Sequence, residues 1–287
     1  MCTMGKKRRG VSVQKVIQIE ESSAERLLPI AAHAGFEGVS ISFKHSKALL
    51  CAKDGSLERR LDALGTLLLV NALICTHTHL PVYPASVPFG APDKRTEAAI
   101  EAGLRATSLL GARWAVMHPH FRSEKGMRAP GAWRRYMARY LKLAQSHGIG
   151  IALENRPGFP NDPFRDIYGA RYEELSAIAD EFDDEHLGIC WAPAHALLAQ
   201  LDQKKALKAI GSRLKLIHLH DNQGTEDEHL LPFEGAVDWG ELTASLRNAG
   251  YAGALTVAAR RSDEEAEDTF VQKSFAAVKR LEELLQA

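Results

Sequence analysis

Short apolar runs alternate along the chain with longer amphipathic stretches. Compact apolar runs mark buried strands, and apolar positions recurring every three to four residues mark helices packed on them. Strands are predicted at Val11–Val16, Gly38–Phe43, Ala72–Thr76, Trp114–Met117, Ile149–Leu153, Leu187–Cys190, Leu214–Leu219 and Ala254–Val257. Helices are predicted at Ser23–Ala34, Ser56–Leu69, from an N-cap at Asp93 to Leu110, and at Trp133–His147, Arg171–Phe182, Lys204–Ile210, Asp238–Ala249 and Ser262–Leu285. Gly148 and Gly250 stand where a helix C-cap favours glycine. Eight strands, each followed by a helix, predict the α/β class and a single (β/α)8 TIM barrel. An open doubly wound sheet is the alternative, but the count of eight and the lack of a GxGxxG turn favour the barrel.

The length agrees: 287 residues is close to the roughly 250 such a barrel takes. Residues 1–10 are basic, lack an apolar run behind them, and read as a disordered N-terminal tail rather than a secretory signal. Residues 11–287 read as one barrel domain, since no low-complexity linker interrupts them. Lys and Arg total 36 and Asp and Glu total 36, so bulk charge gives no reason to expect nucleic acid or a membrane as partner. No stretch approaches the ~20 apolar residues of a membrane span. Cys2, Cys51, Cys75 and Cys190 are scattered without a CxxC pair and read as reduced thiols of a cytoplasmic protein. A homo-oligomer is left open.

The chemistry concentrates at the strand ends, where barrels of this kind build their sites. His77 and His79 close strand three, His118 and His120 follow strand four, and Glu154, Asn155 and Arg156 follow strand five. His195 lies after strand six, His218 and His220 end strand seven, and Asp227 and His229 sit in the next loop. Any one of these histidines reads equally well as a hydrogen-bonded polar residue at the barrel mouth. Eight of the twelve on one rim point instead to divalent metal, for which imidazole is the commonest ligand and carboxylate the usual complement. Residues two apart in a strand share a face, so His77 with His79, His118 with His120 and His218 with His220 each form a same-facing pair. Which member of a pair is the ligand stays open. His33, His45, His147 and His186 read as surface residues, and Trp133, Tyr136 and Tyr140 as helical packing. The segments Pro81–Pro92 and Phe121–Gly131 are long enough to act as lids.

Several motifs together resemble the xylose isomerase-like TIM barrel superfamily, which holds sugar and sugar-phosphate isomerases and epimerases and the endonuclease IV-type enzymes. They are His218-Leu219-His220-Asp221-Asn222 with Asp227-Glu228-His229-Leu230-Leu231-Pro232, Gly235 and Asp238-Trp239; Leu153-Glu154-Asn155-Arg156-Pro157-Gly158; Leu187-Gly188-Ile189-Cys190 leading to His195; and Gly250-Tyr251-Ala252-Gly253. The resemblance spans nearly the whole chain. It implies a metal site of isomerase type at Glu154 and His218, but Ala192 and Ala258 stand where that type has its Asp and second Glu. The comparison with endonuclease-type members implies two further sets, His79 with His118 and Glu154, and His195 with Asp227 and His229, both complete. The metal expected is zinc, manganese, iron or cobalt.

By the same resemblance Glu154 is the acid/base residue, with His220, Arg260 or a water available to replace the missing second base. Asn155, Arg156, Trp191 and Arg260 are the expected substrate-binding residues; Trp191 alternatively fills space left by the missing carboxylates. The implied activity is metal-dependent isomerisation or epimerisation of a small sugar-type substrate. The alternatives are a metal-dependent hydrolase or lyase of the same fold, and a non-catalytic barrel that has lost activity.

Overall fold

The computed structural model describes residues 13–82, 93–119, 130–161 and 168–287. The expected N-terminal tail, Cys2, His120, the Trp133 side chain and most of both expected lids lie outside the described residues. Eight parallel strands close a barrel in chain order. They are β1 (Lys15–Glu20), β2 (Gly38–Ser42), β3 (Ile74–His79), β4 (Trp114–Met117), β5 (Gly150–Glu154), β6 (Leu187–Trp191), β7 (Leu214–Leu219) and β8 (Leu255–Val257). Around them lie α1 (Ala24–Ala34), α2 (Lys47–Leu50), α3 (Ser56–Val70), α4 (Lys94–Leu109), α5 (Pro130–Ser146), α6 (Tyr172–Phe182), α7 (Pro193–Leu198), α8 (Gln203–Ile210), α9 (Trp239–Asn248) and α10 (Glu267–Gln286). None of the helices among the described residues is long and apolar enough to cross a membrane.

The main core lies between strands and helices, where Ile17, Ile41, Leu64, Leu104, Ile151 and Leu242 are buried. A second, smaller cluster fills the barrel interior with Val116, Ala152, Cys190 and Leu216. This plug fixes the site above it. Period-two alternation lifts each interior residue to its neighbour two places on: Val116 to His118, Ala152 to Glu154, Cys190 to Ala192, Leu216 to His218. The apolar floor therefore faces a polar layer built by the same four strands.

Strands β4 and β7 have the predicted bounds. Strand β1 falls later than predicted, at Lys15–Glu20, because its polar positions are used: Lys15 pairs with Glu37 and Glu282, and Glu20 accepts from Ser42 Oγ. Strand β3 runs on to His79; its histidines turn into the barrel, so polarity does not end the strand. The closing helix starts at Glu267 rather than Ser262. The short helices α2 and α7 were not foreseen, and α7 carries His195 in its first turn.

Candidate metal centre

Glu154 ends β5 and is buried. Its Oε1 accepts from His218 Nδ1 at 2.8 Å, and its Oε2 faces His79 Nε2 at 3.0 Å and His118 Nε2 at 3.3 Å. The register explains the meeting: His79 sits beside Ser42 on β2 and Val116 on β4. His79 Nδ1 donates to the Leu80 carbonyl at 2.9 Å. Burial pushes the His79 imidazole down to about 4 and pushes His118 well below its ordinary value. Burial raises the Glu154 carboxyl, but the neighbouring His218 and His118, with the hydrogen bond from His218, outweigh it and hold Glu154 well below the carboxylate range. A neutral His79 donating to Leu80 then turns the lone pair of Nε2 toward a carboxylate oxygen. Two acceptors face each other, and a divalent cation satisfies both.

The second set is carried by loops. His195 Nε2 lies 3.4 Å from Asp227 Oδ1, and His229 Nε2 lies 3.5 Å from Asp227 Oδ2. Again each Nδ1 donates to a main-chain carbonyl: His195 to Asn155 at 2.7 Å and His229 to Ala258 at 3.0 Å. His195 Nε2 and Asp227 Oδ1 are buried without a hydrogen-bond partner among the described residues. Burial pushes the Asp227 carboxyl up, but the adjacent His195 and His229 hold it below its ordinary value. Ligands around a tetrahedral zinc at ~2.0–2.1 Å lie roughly 3.3 Å apart, and both separations fit that spacing. Main-chain carbonyls fixing the tautomer of ligating histidines are the expected outer support of such sites.

Asp221, which sequence reasoning did not assign a role, builds that loop. Its carboxylate accepts from the main chain of Asn222, Phe233 and Val237 and from Trp239 Nε1 at 2.8 Å. Its main chain exchanges two hydrogen bonds with Leu230. Gly235 is required there, since a Cβ would lie 2.4 Å from the Asn222 carbonyl oxygen and from Asp221 Oδ1. The loop holds His229 at φ 55, a left-handed conformation uncommon outside glycine but one that histidine adopts more readily than most side chains.

Several expected roles change. Trp191 is fully buried and donates to Gln203 Oε1 at 2.8 Å. Alternation puts Cys190 toward the axis and Trp191 toward the helices, so Trp191 is core and lines no site. Asn155 is also fully buried: it donates to the Ala192 carbonyl at 3.0 Å and accepts from the Ala192 amide at 2.7 Å. Its side chain clamps the start of α7 and is fully buried there. Arg260 is exposed on the rim; its amide donates to the His229 carbonyl at 2.8 Å. Arg156 stays near His118, with Nη1 3.5 Å from the Pro119 carbonyl.

His218 has both ring nitrogens engaged, by Glu154 Oε1 and by His77 Nε2 at 3.0 Å, and so orients Glu154. Cys190 converges with Glu154 and His218, but burial pushes its thiol well above the ordinary value, leaving it protonated and a poor ligand. Ala192 and Ala258 are buried beside this gap. Lys44, just past β2, was missed by the sequence reading. It is half-buried, close enough to act electrostatically on His79 and His118, and makes no salt bridge among the described residues. A basic residue just beyond the second strand end was the available signal.

Residues 28–281 match the model of the xylose isomerase-like TIM barrel family. The chain belongs to that family. As a xylose isomerase-like barrel it is 26% identical over 265 residues to an uncharacterised protein of Mycobacterium leprae, covering 84% of this chain and 88% of the relative. It is 29% identical over 177 residues to an uncharacterised protein of Methanocaldococcus jannaschii, covering 57% of this chain and only 56% of the relative. A probable endonuclease 4 of Methanoculleus marisnigri is 32% identical over 161 residues, covering 51% of this chain and 55% of the relative. Among solved structures, a D-tagatose 3-epimerase-like protein superposes with a TM-score of 0.73 at 21% identity, covering 94% of this chain and 97% of its own. A D-psicose 3-epimerase determined with D-fructose superposes with a TM-score of 0.72 at 15% identity, covering 96% and 100%. These superpositions establish the shared fold.

Proposed function

We propose that this xylose isomerase-like barrel is a divalent-metal enzyme acting on a small polyhydroxylated substrate, a sugar or sugar phosphate, with its reactive ion at His79, His118 and Glu154. One observation carries the reading: Glu154 Oε2 is approached by the Nε2 atoms of both His79 and His118 at 3.0 and 3.3 Å, while His79 gives its other nitrogen to a main-chain carbonyl. When bound, the ion supplies Lewis acidity. His218 fixes Glu154 through Oε1, so the carboxylate keeps one rotamer. Arg156 and Lys44 flank the set with positive charge, suited to an anionic or hydroxyl-rich ligand.

Isomerisation or epimerisation is the first reading, given the family's epimerase neighbours. A hydrolase or lyase is the second, and a specific feature favours it. Both oxygens of Glu154 are held by histidines, and Ala258 supplies no second carboxylate base, whereas two-base proton transfer needs two free groups. The test incubates the metal-loaded chain with a panel of sugars and sugar phosphates in deuterated water. Deuterium entering a carbon-bound position supports the first reading, and cleavage products without exchange support the second. A chain that binds no divalent metal and turns over nothing overturns both and leaves a non-catalytic barrel.

A further inference from the structure

The side of the barrel opposite Glu154 carries a carboxylate that neither ligand set uses. In β1, Ile17 and Ile19 pack toward the helices, so alternation turns Gln18 and Glu20 to the axis. Ser42 on β2 pairs in register with Glu20 and faces the axis in the same way, between the helix-facing Ile41 and Phe43. Its Oγ donates to Glu20 Oε1 at 2.9 Å. Glu20 is half-buried, and its Oε2 has no hydrogen bond or ion pair among the described residues.

Barrel interiors stack in layers of four side chains from alternate strands. His79, Glu154 and His218, from β3, β5 and β7, touch in one such layer, and Gln18 is its β1 member. Glu20, two residues on, stands higher at the mouth, with β5 directly across the ring of eight. The β1–β8 register, Ile17 with Val257, continues to Gln18 beside Ala258. A carboxylate lacking at position 258 is thus available one strand over. Unpaired polar atoms mark the same sector: Gln18 Oε1, Ser40 Oγ on β2 and Thr256 Oγ1 on β8 are buried without a hydrogen-bond partner among the described residues. The stand-ins expected from sequence fit less well. His220 is completely buried and stacked on His229 with ring centroids 4.1 Å apart, and Arg260 is a cation exposed on the rim.

We propose that Glu20 is the free acid/base carboxylate of this barrel and that it alone moves a proton between adjacent carbons of an aldose–ketose pair. The proposal rests on the metal site at His79, His118 and Glu154, whose carboxylate is engaged at both oxygens. Glu20 Oε2 removes the proton from the hydroxyl-bearing carbon next to the substrate carbonyl. The C–H electron pair becomes the double bond of an enediolate, and the carbonyl π pair moves onto its oxygen. A proton passes from the neighbouring hydroxyl to that oxygen, and Glu20 returns its own proton to the former carbonyl carbon. One carbon is oxidised and its neighbour reduced, with no external oxidant. Lys44, within electrostatic reach of His79 and His118, offsets the charge that develops on oxygen. A single base serves one face of the substrate, so it isomerises but does not invert a carbon, which takes two.

The test loads the full chain with manganese(II) and supplies aldoses and aldose phosphates deuterated at carbon 2, in ordinary water. Ketose carrying part of the deuterium at carbon 1 is expected from the natural chain. In Glu20→Gln, which keeps an acceptor for Ser42 Oγ, kcat falls at least about a hundredfold, with KM and bound manganese little changed. Glu20→Asp recovers part of the loss. Turnover kept in Glu20→Gln overturns the proposal, and so does manganese lost together with turnover, which would make Glu20 structural. An epimer formed without ketose also overturns it. A natural chain that holds manganese and forms no ketose removes Glu20 as base and leaves the metal site standing. A natural chain that holds no metal removes both.

Discussion

The two ends of the histidine-rich face are built differently. His79 and Glu154 belong to strands, and His118 follows its strand by one residue, so the barrel register sets their geometry. His195 lies in a short helix and Asp227 and His229 in a loop, so their geometry depends on Asp221, Asn155 and main-chain carbonyls. The strand-borne set is rigid by construction and has three donors. The loop-borne set depends on that local scaffolding. Between them, where Ala192 and Ala258 stand, Glu154 and His218 pair directly, and His218 leans on His77.

The largest effect expected from breaking this contrast is in Glu154→Gln. The amide presents a donor or a weaker acceptor to His79 and His118, so the strand-borne equivalent weakens more than about a hundredfold, beyond the loss of an outer partner, and turnover is lost. The loop-borne equivalent stays. Metal analysis after dialysis checks this, and loss of both equivalents together would merge the two sites into one. Asp221→Ala acts on the other side. It strips the acceptor from four donors, among them Val237 N and Trp239 Nε1, and leaves several buried. Unfolding should show a loss of about 3 kcal/mol or more, with the loop-borne metal weakened and the strand-borne metal retained. An unchanged loop-borne affinity would remove Asp221 from the scaffold.

Strand-end placement and period-two spacing brought the histidines and Glu154 to one rim, but spacing left open which histidine of each pair is the ligand, so the set His79, His118 and Glu154 came from the family resemblance. The same spacing also bears on Trp191 and Asn155. Once Cys190 and Glu154 face the axis, their neighbours face the helices, which removes Trp191 and Asn155 from the substrate list. The loop-borne half was legible only through resemblance, since no periodicity sets where Asp227 and His229 fold back. Asp221 lies where strand becomes loop, and its role depends on pairings that spacing does not encode. The limits of β3 were misread because interior histidines look like the end of an apolar run.

The central claim is that this face holds two ions, one on strand ends and one on the loop side, with no third ion between them. Anomalous scattering at the zinc edge from zinc-loaded crystals tests it most directly. The account predicts two peaks, one bounded by His79 Nε2, His118 Nε2 and Glu154 Oε2 and one by His195 Nε2, His229 Nε2 and Asp227, with none beside Ala192 and Ala258. A single peak shared by Glu154 and His218 at the alanine-lined position, with the two outer sets empty, would contradict it.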